Sequence, residues 1–294
     1  MAEFVDLHVH TSYSDGSLRP TEIVWLAVDM DLAAIAVVDH DTVDGNAEAF
    51  AEGAQQGLEV IPGVELSCDF TPVNVHVVGL FIDPTNSGLT EALEEVREYR
   101  KRRNPKILAK LAELGMSIDL DEVAAKTGGK TIGRPHIAEV MVEKGYVADF
   151  QEAFEKYLAY NKPAYVGRRR ISAEEGVELI HGAGGLAFLA HPGIYALPPR
   201  VLDSMVFKLA RAGLDGVEVY YSDHLPTDTA FLKRLVDEYD LLASGGTDFH
   251  GVAKPGVELG IGRGDIKVPY ELVARMKARL GVRARREAAR RSER

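Results

Sequence analysis

Strand-like segments alternate with helical patterns along most of this 294-residue chain. The strand-like segments are short apolar runs rich in β-branched residues, and this alternation is typical of βα units that build a largely parallel sheet. Because the runs are continuously apolar, they suit strands covered on both faces, which favours a closed barrel or a doubly wound sheet. We predict seven strands, at Phe4–His10, Ala33–His40, Glu59–Ser67, Val73–Ile82, Gly185–His191, Gly216–Tyr221 and Leu241–His250.

One connection between predicted strands excludes a regular eightfold barrel. Too few residues lie between Ser67 and Val73 for a parallel crossover, which needs at least about ten to twelve residues. We therefore expect the third and fourth strands to form an antiparallel hairpin.

The segment from about Asp83 to Gly184 departs from the alternation, because it is long, charged and helical in period. We expect residues 91–169 to form a helical subdomain inserted over the barrel mouth. Residues 1–90 and 170–270 would then form a discontinuous barrel, and residues 271–294 a basic C-terminal helix or tail.

Charge is distributed unevenly along the chain, whose net value is −11. The last 20 residues carry nine Lys and Arg against two Glu, so the other 274 residues carry −18. An acidic body of this kind repels a long polyanion unless cations lie in its binding site. The basic tail could touch nucleic acid, but a solvated helix end is the favoured interpretation.

Other features of the sequence favour a cytoplasmic protein with no membrane association. The single cysteine, Cys68, cannot form an internal disulfide, so nothing requires an oxidising compartment. The apolar runs are far shorter than the roughly 20 residues that cross a bilayer. The N-terminal residues lack the pattern of a secretory signal, and no obligatory protein partner is evident.

Histidine and acidic residues follow or end nearly every predicted strand. His8 and His10 point to the same face of the first strand, because side chains alternate along a strand. In parallel βα folds, such strand ends meet at the active site. The other residues of this set are Asp15, His40, Glu65, His76, His191, Asp248 and His250.

Each of these residues also has a structural interpretation. A single histidine at a strand end is more often a hydrogen-bonded structural residue; Asp15 before Gly16 suits a turn, and Asp41 could cap the next helix. Asp6 could orient a ligand histidine from behind. The whole ordered set is nevertheless far more specific than any member, and it predicts a site for several divalent cations.

Four segments of the chain resemble the motifs of the PHP (polymerase and histidinol phosphatase) phosphoesterase family. That family folds as a distorted (β/α)7 barrel, so the resemblance implies an α/β barrel of this type. Within the family, the chain is most similar to stand-alone bacterial members that act on nucleoside 3′,5′-bisphosphates and on short RNA 5′ ends. The motifs are Asp6–Gly16, Val37–Thr42, Ala190–Pro192 and Gly245–His250, and the subgroup similarity lies in Gly133–Ala138 and Asn161–Val166.

The resemblance implies a trinuclear metal centre and a division of its ligands. The first metal would take His8, His10, Glu65 and Asp248; the second would share Glu65 and add His76 and His191; the third would take Asp15, His40 and His250. Glu65 would then bridge two metals and orient the attacking hydroxide. Such mixed ligands suit borderline divalent ions; we expect manganese first, with zinc, iron or magnesium as alternatives.

Three further residues are candidate substrate contacts. Arg134 and His136 begin an inserted helical pattern, where an anion also interacts with the helix N-terminus, and arginine suits bidentate phosphate recognition. His224 follows the sixth predicted strand. A structural role is an equal alternative for His136 and for His224, whereas phosphate contact is the favoured interpretation for Arg134.

The expected function is hydrolysis of a small phosphorylated nucleotide, first a nucleoside 3′,5′-bisphosphate that loses its 3′-phosphate. Trimming of short RNA from the 5′ end is a related activity. The alternatives are a histidinol-phosphate phosphatase, a non-catalytic metal-binding or regulatory module, and an amidohydrolase-like enzyme that cleaves a C–N bond.

Overall fold

The computed structural model describes residues 3–71, 73–126, 132–167, 171–264 and 266–292. Seven of its strands coincide with the seven predicted from sequence, and two more strands of two residues each are present. The strands are β1 (Phe4–Val9), β2 (Ala34–Val37), β3 (Glu59–Phe70), β4 (Val73–Leu80), β5 (Ile171–Ser172), β6 (Leu186–Leu189), β7 (Gly216–Tyr221), β8 (Leu242–Gly246) and β9 (Val268–Pro269).

These strands form one sheet in the order β8-β7-β6-β4-β3-β2-β1-β9, with β5 beside β3. The pairs β1–β2, β2–β3, β6–β7 and β7–β8 are parallel. Strand β4 is antiparallel to both β3 and β6. The predicted hairpin between the third and fourth strands is therefore confirmed, and it is the main irregularity of the sheet.

The sheet closes where the carboxyl end of β1 meets the chain that follows β8. The Asp248 amide donates to the His8 carbonyl at 2.9 Å, and the His10 amide donates to the Phe249 carbonyl at 3.0 Å. The opposite end of β1 pairs instead with β9, at Phe4 and Val5. The fold is a distorted α/β barrel, as predicted. The barrel closes at the end of β1 that carries His8 and His10, beside Asp248.

The helices begin and end at residues that suit helix termini. Pro20 opens α1, and a Ser172–Glu175 capping box opens α7, which satisfies amide groups left unpaired at a helix start. The α-helices are α1 (Pro20–Asp29), α2 (Asn46–Gln56), α3 (Ser87–Glu113), α4 (Leu120–Lys126), α5 (Arg134–Glu143), α6 (Phe150–Ala153), α7 (Ala173–Gly182), α8 (Pro199–Arg211), α9 (Pro226–Glu238) and α10 (Glu271–Ser292). None of the helices in the described ranges has the length and apolar character needed to cross a membrane.

The chain divides into two compact units, Met1–Thr90 with Ile171–Arg294, and Glu91–Arg170. The first unit holds the barrel, whose interior is packed with small and branched side chains around Phe188 and Leu80. The second unit is helical and has its own core, which includes Ile107, Leu111 and Met141. Its placement over the barrel mouth stays a prediction.

Candidate metal centre

The carboxyl ends of the parallel strands bring the predicted ligands together. His8 and His10 project from β1 on the same side, and their Nε2 atoms lie 3.1 Å apart. The His10 Nε2 atom is also 3.1 Å from Glu65 Oε2 and 3.1 Å from Asp248 Oδ1. These four residues form a fully buried group with ligand atoms within 4.8 Å of one another.

A second group collects around Asp15 in the turn after β1. Its carboxylate lies 3.3 Å from His250 Nε2 and 3.7 Å from His40 Nε2. The Nδ1 atom of His10 is 3.6 Å from the same carboxylate. His10 therefore lies between this group and the first one.

The third group gathers on the other oxygen of Glu65. The Oε1 atom is 2.9 Å from His76 Nδ1 and 2.9 Å from His191 Nε2, and these two nitrogens are 3.3 Å apart. His40 Nδ1 approaches Glu65 Oε2 at 3.1 Å. Glu65 is completely buried and is in close contact with five imidazoles, which makes it the centre of the whole arrangement.

Several ligand atoms in this cluster are buried without a hydrogen bond. Within the described ranges, Asp15 Oδ1, His40 Nδ1, Glu65 Oε2 and His191 Nδ1 have no hydrogen-bond partner. Buried polar atoms in proteins are normally satisfied, and imidazole and carboxylate together are good ligands for divalent transition metals. The orphaned atoms and the donor set therefore fit divalent cations.

The carboxylates of the cluster are ionised. Burial by itself raises the pKa of Glu65, but the imidazoles of His40, His76 and His8 hold that pKa well below its usual range. Burial likewise opposes ionisation of Asp15 and Asp248, yet neighbouring imidazoles keep the pKa of each carboxyl well below normal. The cluster therefore contains three buried negative charges that need compensation.

Protons on histidine supply that compensation when cations are absent. Burial lowers the pKa of His10, but the neighbouring carboxylates of Asp248 and Glu65 outweigh burial and raise it to about 10. For His40 burial dominates and lowers the pKa to about 3. A divalent cation must displace the His10 proton, since only neutral imidazole binds metal.

Glu218 on β7 contacts two of the candidate ligands, and sequence reasoning missed it. Its buried carboxylate accepts from His8 Nδ1 at 2.9 Å and from the His191 backbone amide at 2.7 Å. This contact fixes the His8 tautomer and leaves Nε2 facing Glu65 and His10. Metal-binding histidines usually donate their other ring N–H to a carboxylate in this way. The sequence signal that could have identified Glu218 is that it is the single acidic residue within the apolar run Gly216–Tyr221.

Glu218→Gln is expected to weaken manganese binding by roughly tenfold to hundredfold. The new amide places a donor against His8 Nδ1 or the His191 amide, both of which already donate. The measurement is titration calorimetry of Mn²⁺ binding, with the tautomer of His8 read from nitrogen NMR shifts. Wild-type affinity together with an unchanged His8 tautomer contradicts this role.

Other contacts orient the ligand-bearing segments. The Tyr195 hydroxyl accepts from the His76 amide at 2.9 Å and donates to the Ala190 carbonyl at 2.8 Å, which ties β4 to the residue before His191. His191 and Asp248 adopt left-handed backbone conformations, with φ of 30° and 56°. Such backbone conformations are unfavourable for residues other than glycine, so contacts with the surrounding structure must hold His191 and Asp248 in them.

Asp6 acts on the backbone of the barrel seam. Its carboxylate accepts from the Thr247 amide at 2.9 Å and from the Gly260 amide at 2.9 Å. It also accepts from the His8 amide at 3.3 Å. The carboxylate thereby positions His8 through the main chain, by fixing β1 against the segment that follows β8.

Of the three candidate substrate contacts, one lies in the barrel unit and two lie in the helical unit. His224, in the barrel unit, donates from Nδ1 to the Val219 carbonyl and accepts at Nε2 from the Gly193 amide, each at 3.1 Å. Arg134 and His136 lie at the start of α5 in the helical unit. Arg134 donates to the Leu158 carbonyl at 2.9 Å, and His136 Nδ1 accepts from the Gly133 amide at 3.0 Å. Substrate binding by these residues stays a prediction.

The barrel and its cluster of six imidazoles and three carboxylates define a class of hydrolase built to hold divalent cations. A PHP domain profile matches residues 6–164. The chain belongs to the PHP family, and it is a hydrolase of phosphate esters, as the sequence predicted.

Several relatives of the chain lie in the subgroup that the sequence motifs resemble. A 3′,5′-nucleoside bisphosphate phosphatase from Chromobacterium violaceum is 36% identical over 87% of this chain and 90% of its own length. The Escherichia coli 5′-3′ exoribonuclease Rnm is 36% identical over 88% of this chain and 89% of its own. A crystal structure of a candidate metal-dependent phosphoesterase from Bifidobacterium adolescentis superposes with a TM-score of 0.82 at 30% identity, over 95% and 97% of the two chains.

Proposed function

We propose that this protein removes the 3′-phosphate of nucleoside 3′,5′-bisphosphates, using divalent cations held by the nine predicted ligands. The observation that carries the proposal is the contact of buried Glu65 with five imidazoles through its two oxygens. A carboxylate in this position could hold neighbouring cations, and such cations would stabilise the attacking and leaving oxygens of an in-line displacement at phosphorus.

When bound, divalent cations would supply a nucleophile from water at neutral pH and would neutralise charge on the phosphoryl group. The chain supplies the rest of the site. His8 and His10 are locked on one face of β1, and Glu218 fixes the orientation of the His8 ring. The closed barrel seam holds Asp248 beside them. Since these groups are prepositioned, little reorganisation is needed during the reaction.

The relatives support a nucleotide substrate. The C. violaceum phosphatase is named for nucleoside bisphosphates and Rnm for RNA, and each is similar to this chain over most of its length. We propose trimming of short RNA from the 5′ end as a second activity of the same centre. Histidinol phosphate is not favoured by these relatives.

The test is release of inorganic phosphate, or of 5′-mononucleotides from the RNA, by the full chain with added Mn²⁺. The panel contains adenosine 3′,5′-bisphosphate, adenosine 5′-monophosphate, histidinol phosphate and a short 5′-phosphorylated RNA. We expect the bisphosphate to give the highest kcat/KM and to yield the 5′-monophosphate. Preference for histidinol phosphate, or absence of phosphate from every compound, overturns the proposal, and ammonia release from a metabolite panel indicates an amidohydrolase instead.

Arg134→Ala is expected to raise KM for a nucleoside bisphosphate while kcat stays near wild type. The proposed contact is one charge-assisted hydrogen bond to the phosphate that does not react, so kcat/KM should fall about tenfold to hundredfold. Steady-state kinetics on the bisphosphate and on a singly phosphorylated substrate separate the effects. An equal loss on both substrates, or no loss at all, places Arg134 outside the binding site.

A further inference from the structure

Lys254 lies against the outer oxygen of a metal-ligand candidate. Its Nζ atom is 2.7 Å from Asp248 Oδ2 and 3.0 Å from the Tyr221 hydroxyl. The Tyr221 hydroxyl donates to the same carboxylate oxygen at 3.0 Å. These contacts occupy Oδ2, whereas Oδ1 of Asp248 faces His10 at 3.1 Å.

The Lys254 ammonium has three N–H donors, and these contacts use two of them. The remaining acidic neighbour in the described ranges is Asp223, whose Oδ2 is 3.9 Å away. That distance is too long for a hydrogen bond, and Asp223 Oδ1 already accepts from Arg263 Nε at 2.6 Å. The Lys254 side chain is 22% exposed, so these contacts do not enclose it completely.

We propose that this third donor of Lys254 binds a phosphate oxygen of the substrate at the metal centre. The inference rests on the proposed function, since it names a contact to the same phosphorylated substrate. Nothing in the sequence pattern had marked Lys254, which lies in the loop after β8, beyond the last predicted ligand His250.

The charges around Lys254 favour this role. Residues 1–274 carry −18, and a phosphorylated substrate approaching such a surface gains from a local cation. A lysine ammonium is a compact charge that suits phosphate. The Tyr221 ring, 4.9 Å from Nζ, also restrains the ammonium beside Asp248.

A purely structural role is less economical, because the Tyr221 hydroxyl already binds Asp248 Oδ2. The two roles differ in what they affect: a phosphate contact affects anion affinity at saturating metal, whereas a positioning role affects metal affinity.

The experiment measures orthophosphate binding to the full chain saturated with Mn²⁺, by titration calorimetry and by product inhibition. In Lys254→Met, we expect orthophosphate affinity to fall about tenfold or more, with Mn²⁺ affinity within about threefold of wild type. KM for the bisphosphate should rise more than kcat falls. Lys254→Arg keeps a cation and should restore much of the affinity.

Lys233→Met is the matched control, because it removes an exposed ammonium that also lies over a tyrosine ring, 5.0 Å from the centroid of Tyr220, but that belongs to α9. At saturating Mn²⁺ it should bind orthophosphate with near wild-type affinity. The proposal is overturned if Lys254→Met binds orthophosphate like wild type, if only its Mn²⁺ affinity changes, or if the wild-type protein binds no orthophosphate. Failure of the wild type to hydrolyse any phosphate ester contradicts the proposed function, while orthophosphate binding still tests Lys254 separately.

Discussion

Glu65→Gln is expected to lower kcat by at least roughly a hundredfold to a thousandfold and to remove one or more bound metal ions. The substitution keeps the shape of the side chain but removes its charge. Glu65 is completely buried and contacts His8, His10, His40, His76 and His191. An amide in this place offers one oxygen instead of two and turns a donor toward one of the groups. Elemental analysis after dialysis and kinetics at saturating Mn²⁺ measure the two effects.

Glu59→Gln is the matched control for this variant. Glu59 begins the same strand, β3, and binds Lys277 and Tyr270 near the protein surface, so its loss should leave metal content and kcat unchanged. Wild-type stoichiometry and turnover in Glu65→Gln would show that Glu65 does not join the cations. Equal losses in both variants would indicate a general effect on β3 instead.

Most strands and helices of the fold could be predicted from local sequence, because their apolar patterns agree with the tertiary contacts that these elements make. The hairpin between β3 and β4 follows from chain length alone, since the few residues after Ser67 cannot cross the sheet. Strand ends were less predictable: β8 stops at Gly246, although the predicted strand continues to His250. The reason lies in tertiary structure, because Phe249 pairs with Val9 across the barrel seam as an isolated bridge.

The candidate ligands could be predicted because each strand delivers its residue at the same end of the barrel. The residues that orient them were harder to find. Glu218 acts through His8 and His191, which are distant in sequence, and Tyr195 and Lys254 lie in irregular segments after β6 and β8. No periodicity marks such positions. The left-handed backbone at His191 and Asp248 likewise depends on contacts that sequence patterns do not encode.

Removal of metal is expected to abolish activity. The affinity with which the metal-free protein binds Mn²⁺ again should depend on pH. His10 in the metal-free protein has a pKa of about 10, so each binding event below that pH releases a proton. The apparent association constant for Mn²⁺ should therefore rise with pH, by about tenfold per unit for each proton released. Calorimetry between pH 6.5 and 8.5, in buffers of different ionisation enthalpy, measures both the affinity and the proton count.

The same proton should make the stability of the metal-free protein depend on pH in the opposite direction. The folded-state pKa of His10 lies above the unfolded value of about 6.5. Its stabilisation is therefore complete below pH 6.5 and is lost as pH rises through about 10, at roughly 1 kcal/mol per pH unit. The melting temperature of the metal-free protein should fall from pH 6.5 to 8.5, whereas His10 should add no such slope in the Mn²⁺-loaded protein. Equal slopes for the two forms, with no proton release on binding, would place His10 outside the metal centre.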